Sequence, residues 1–240
     1  MSQPSLESVM RVRRQQPTRL EGFVDASFAF AVTLIVISIG HVPGSVSEML
    51  LALRGLPTFA VSFLLVARIW HAHRGWSRYY DLEDTRSIVL SLVLVFVMLI
   101  YVYPLRILFA QMFLGFSGHW LSDGTIAPIT TVEELRAAYT VFGFGLGAIA
   151  CVFILLYRHA LANAANIGLG EGEKLITRMK LFEWYEQLSI AAVSVACAQW
   201  MPMASPLAFS LPGFLYGLSS LTGPVTRRHF RRRLALLGDA

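Results

Sequence analysis

Long runs of apolar residues, interrupted only by short charged segments, constrain this chain more than any motif it carries. A helix rises about 1.5 Å per residue, so roughly 20 apolar residues cross the hydrocarbon, where a helix satisfies every backbone polar group internally. The pattern is that of a helical membrane bundle. Charged residues make up only 15% of the 240, against about a quarter in a soluble domain, which leaves no room for a separate soluble domain.

Six spans are predicted, near Leu20–Ile39, Met49–Trp70, Ser87–Phe113, Val132–Tyr157, Leu175–Trp200 and Pro206–Leu221. Lys180, Glu183 and Glu186 weaken the start of the fifth, while Pro202, Pro206 and Pro212 mark a break and a kink around the sixth. Residues 1–18 lack the apolar core and cleavage site of a signal peptide, so the first span is expected to be retained. The expected organisation is an N-terminal segment over 1–18, a six-span domain over 19–223 and a basic tail over 224–240.

Cytoplasmic flanks of spans collect Lys and Arg. Arg11, Arg13, Arg14 and Arg19 precede the first span, Arg68 to Arg86 separate the second and third, and Arg158 to Lys180 separate the fourth and fifth. Arg227 to Arg233 follow the sixth, whereas the loops His41–Ser47, Gly115–Thr130 and Met201–Ser205 carry no Lys or Arg. Both termini are therefore expected in the cytoplasm. Arg54, Arg106 and Arg136, near the outer ends of their helices, are expected to snorkel to the outer interface. The basic tail suits anionic lipid head groups better than nucleic acid, since no fold that reads bases accompanies it.

Other motifs resolve into packing. Gly143, Gly145 and Gly147 lie in an apolar helix rather than between a strand and a helix, which removes a phosphate-loop reading. Gly143 and Gly147, four apart, are expected to admit a neighbouring backbone. Gly168, Gly170 and Gly172 read as a flexible loop, and Cys151 and Cys197 as buried packing residues. His71 and His73, two apart on a helix, point to different faces and cannot share a metal ion. No set of acid, base and nucleophile indicates an enzyme, and no cofactor is implied.

Asp25 stands inside the start of the first span, where a carboxylate needs a partner or water. At about 100° per residue, Phe23, Phe30 and Ile37 form one stripe, flanked by Leu34 and Thr33, and Asp25 lies about 140° from Phe30. Arg19 is on yet another face. The partner must come from another helix or subunit, with His71, His73 or Arg68 at suitable depth. That favours a structural bolt over an ion ligand. An apolar stripe with one threonine can act as a hydrophobic constriction, although from the pattern alone core packing is the simpler reading.

The stretch Arg19-x-x-x-Phe23-Val24-Asp25, with the apolar run through Thr33 and Leu34, resembles the Arg-x-x-x-Phe-Ser-Asp signature of the transmembrane protein 175 family of bacterial and endolysosomal potassium channels. The second span, ending Trp70-His71-Ala72-His73-Arg74, is similar too. The resemblance implies an all-α membrane protein, a homotetramer whose first helices surround a pore on the symmetry axis. It implies a constriction at Phe30, with Thr33 also lining the pore and Leu34 and Ile37 as the next apolar turns. Arg19, Phe23, Asp25, Trp70 and a following histidine would form the network holding the pore helix. Val24 stands where the motif has serine, and Phe30 is bulkier than the aliphatic residue usual at the constriction, so a narrower pore or altered selectivity is expected. No Thr-Val-Gly-Tyr-Gly filter occurs. The implied function is a potassium-permeable leak-type channel in a bacterial plasma membrane; a proton or nonselective cation path and a nonconducting scaffold stay open as alternatives.

Overall fold

The structure, a computed structural model, describes residues 9–38, 42–117, 120–122 and 124–200, with positions 226, 228, 230 and 234 of the tail. Six α-helices and no strand occur among the described residues: α1 (Arg19–Ile37), α2 (Val46–Arg54), α3 (Leu56–Tyr80), α4 (Thr85–Ser117), α5 (Val132–Ala162) and α6 (Glu171–Trp200).

Local chemistry sets the boundaries. Thr18 and Glu21 form a reciprocal capping box at the start of α1: the Thr18 hydroxyl accepts the Glu21 N–H at 3.2 Å, and the Glu21 carboxylate accepts the Thr18 N–H at 3.3 Å. Ser45 and Thr131 cap α2 and α5, each hydroxyl accepting the N–H of a glutamate three residues on, whose carboxylate accepts the N–H of the residue before the cap. Asp81, at φ 54°, ends α3 in the left-handed region, and Asp84 then accepts the Ser87 N–H at 2.8 Å to start α4.

The expected second span is broken. Gly55, followed by Leu56 and Pro57, separates α2 from α3 with a bend of 50°, and α3 continues ten residues beyond Trp70. Proline has no N–H to close the preceding turn, which is why the chain restarts a helix there. α1, α4 and α5 are each long and apolar enough to span a bilayer, and α2 with α3 qualifies as one bent span. The helix expected over 175–200 is present, but its polar first half keeps it outside that group. The sixth expected span, Pro206–Leu221, lies outside the described residues.

α5 is the centre of the protomer, packed along α6 and α4, while α1 packs on α3 and α4. Phe153 of α5 stacks on Trp184 of α6 with ring centroids 4.0 Å apart and planes 4° apart. Gly145 of α5 has no room for a side chain: a Cβ there would fall 2.2 Å from the buried Tyr101 ring of α4. At Gly147 a Cβ would make an ordinary 3.6 Å contact with Leu188, and Gly143 and Gly147 are both buried. Cys151 corrects another expectation: it lies on the exposed ridge of α5, and Cys197 is half-buried. Arg106 is buried, and its Nη2 donates to Thr125 Oγ1 at 2.8 Å, pinning the loop after α4 back onto the helix.

Candidate functional site: the exposed face of α1 and its anchor

α1 has two faces of unlike fate. Val24, Phe28, Ala31 and Ile35, at spacings of four, three and four, are buried against α3 and α4. About 130° round the helix, Phe23, Phe30 and Ile37 are 54%, 54% and 62% exposed, with Ala26 and Thr33 beside them on the exposed surface. The stripe is therefore not packed into the protomer's own core. Leu34 differs from the other stripe residues, being half-buried against that core.

The polar groups on this surface are spent inside the helix. Thr33 Oγ1 donates to the Ala29 carbonyl at 3.1 Å and Ser27 Oγ to the Phe23 carbonyl at 2.8 Å. What the face presents to its surroundings is apolar. It holds no carboxylate and no ring of free carbonyls, so it can exclude water or contact apolar neighbours but has no built cation site. No group of three or more His, Cys, Asp or Glu placed to hold a metal occurs among the described residues.

Asp25 sits on the flank between these faces, and its partner is neither histidine. Trp70 Nε1 of α3 donates to Asp25 Oδ1 at 2.7 Å, and the Arg74 guanidinium lies over the Trp70 ring, 5.4 Å from its centroid. His73 is buried and shares a 2.9 Å hydrogen bond with Ser91 of α4, while His71 and Arg68 are exposed. The histidines do point to different faces. Arg19 is exposed at the first position of α1. Val24, at the motif's serine position, is 1% exposed, so its methyl groups pack where a hydroxyl would have needed a partner.

Sequence reasoning missed the polar cluster at the end of the bundle where α1 begins. Arg13 was read only as a positive flank, yet its guanidinium makes a two-pronged contact with Glu173 of α6, both at 2.8 Å, and also donates to the carbonyls of Tyr79, Ile167 and Gly168. Glu173 further accepts the N–H groups of Arg11 and Gly170, each at 3.0 Å. Burial pushes the Glu173 carboxyl up, but these hydrogen bonds and the Arg13 charge more than reverse it, holding the pKa at about 2. Gly168 and Gly172 are structural rather than merely flexible: Gly168 adopts φ +63°, and a Cβ on Gly172 would come within 3.1 Å of Val9. The available signal was Arg11, Arg13 and Arg14, five to eight residues before the first helix, together with Glu171 and Glu173 in the loop before the fifth expected span. Alongside it, His159 of α5 meets Asp84 at 2.5 Å.

The profile of the endosomal/lysosomal potassium channel TMEM175 family matches residues 19–104, the stretch that holds α1 and the Trp70–Asp25 contact. A protein of Marivirga tractuosa named potassium channel is 30% identical over 229 residues, covering 92% of each chain. This chain belongs to the TMEM175 family. A crystal structure of a single-site variant of the potassium channel MtTMEM175, in complex with a nanobody fusion, superposes with a TM-score of 0.77 at 28% identity, covering 91% of this chain and 97% of that one. A TMEM175 family member is an integral membrane protein of a channel family and not an enzyme.

Proposed function

We propose that this TMEM175 family member is a potassium-permeable leak-type channel, assembled as a homotetramer whose α1 helices surround the axis and whose Phe30 side chains form a hydrophobic constriction. The observation that carries this is the two-faced α1: one face buried in its own protomer, the other lined by Phe23, Phe30, Thr33 and Ile37 and exposed. A single protomer has no enclosed path along that face, and a ring of copies supplies one. Ions would cross a short apolar neck that conducts only when wide enough to wet.

The Trp70–Asp25 contact acts as the bolt between α3 and the pore helix, with Arg19, Phe23, His71 and His73 as its surroundings. Both termini lie in the cytoplasm of a bacterial cell, and the basic tail meets anionic lipid head groups. Potassium, sodium and proton gradients across liposomes holding the purified protein test the proposal. Potassium flux above empty liposomes is expected; flux of protons alone would favour the proton path, and no flux a nonconducting scaffold.

A further inference from the structure

Residues 9–17 do not trail from α1 but lie bound across the end of the bundle. The N–H groups of Arg13 and Arg14 donate to the Arg78 carbonyl at 3.0 and 3.2 Å, and Arg78 Nη2 returns a bond to the Gln15 carbonyl at 2.9 Å. Arg14 forms ion pairs with Asp81 and Glu83, the latter at 2.8 Å. Met10 is buried in the main core, and Val9 packs on Gly172. Arg13 is the common knot. Its fork reaches the end of α3 through Tyr79, the α5–α6 turn through Ile167 and Gly168, and the first turn of α6 through Glu173.

Four residues after Arg14 the chain enters the Thr18 capping box and becomes α1. So short a connection passes any displacement of the strap into the helix. We propose that residues 9–17 form a latch, knotted at Arg13 and Glu173, that fixes the height and tilt of α1 and restrains its exposed face in the narrow state. Elements of the scaffold that never touch the face, the α5–α6 turn and the start of α6, thereby set its position. The flux consequence rests on the channel reading; the mechanical part does not.

The test uses Arg13→Ala, Glu173→Ala and their double variant in full-length protein, with Glu173→Gln as a milder form that keeps an acceptor for the Arg11 and Gly170 N–H groups. Amide hydrogen exchange at residues 20–24 is expected to accelerate about tenfold, the factor that one lost charge-assisted contact gives a local opening equilibrium. Exchange at 94–102 in the core of α4 stays at the wild-type rate. The double variant is expected to fall short of the sum of the single ones, because they share the Arg13–Glu173 contact although each also loses bonds of its own. Potassium flux rises severalfold as α1 is released. Unchanged exchange at 20–24, additive effects in the double variant, or loosened exchange with wild-type flux each overturn the latch. Absence of flux in the wild type counts against the channel reading alone, since exchange reports on the latch without it.

Discussion

α1 and α5 are both apolar enough to span a bilayer, yet only 28% of the most apolar stretch of α1 is buried against 61% for α5. The difference separates a helix that builds the protomer from one that the protomer holds out to its surroundings. α5 receives Tyr101 at Gly145 and stacks Phe153 on Trp184, and its buried residues come from nearly all round the helix. α1 buries one narrow face and leaves two phenylalanines and an isoleucine more than half exposed. Between apolar helices in lipid, packing rather than water exclusion holds the structure together, so shape complementarity marks α5 as scaffold. Hydropathy alone cannot make that distinction.

Substitutions in the two helices can break the comparison. Phe153→Ala, at a fully buried stacked ring, is expected to cost about 3–5 kcal/mol in reversible unfolding in detergent, whereas Phe30→Ala should cost less than about 1 kcal/mol in the isolated protomer. Equal losses at the two sites would erase the contrast. Gly145→Ala follows, at about 1–3 kcal/mol, because the Tyr101 ring must move to admit a methyl group. Trp70→Phe removes the donor to Asp25 and is expected to cost about 0.5–1.5 kcal/mol, with the yield of the proposed tetramer on size-exclusion chromatography falling more than ion selectivity. A selectivity change without loss of assembly would recast Asp25 as an ion ligand.

The smallest effect concerns pH. The Glu173 pKa is depressed from 4.5 to about 2, so its contribution to stability is complete above about 4.5 and fades as pH falls towards 2. The protection of amides in residues 10–16, taken relative to the intrinsic exchange rate at each pH, should therefore not change between pH 7 and 5 on account of Glu173, and should fall as pH is taken below 4.

Much of this contrast was legible in the sequence. The seven-residue repeat of Phe23, Phe30 and Ile37 and the separation of Asp25 from it follow from helical spacing, and the structure places them on different faces. The family signature lies on the same residues. What spacing could not supply was the partner across helices: Trp70, an apolar-looking end of span, holds Asp25, while the more obvious histidine turns to Ser91. Nor could spacing show why Gly145 is a glycine, because that is explained by a tyrosine more than forty residues away. The break at Gly55 was hidden because apolar composition runs through the bend. Charge counting, which orients spans by Lys and Arg, sees Arg13 only as a positive flank and does not weigh Glu173, although their importance lies in a directional two-pronged contact.

Whether the exposed face of α1 meets ions rather than lipid is the central claim. In protein with Cys151 and Cys197 replaced by serine, cysteine is introduced at Phe30 or at Leu64, an α3 position 63% exposed in the protomer. Liposome potassium flux is then measured before and after a water-soluble, positively charged thiol reagent. Modification is expected to block flux through Phe30→Cys and leave Leu64→Cys unaffected. Flux through Phe30→Cys that survives complete modification of the thiol would contradict the account.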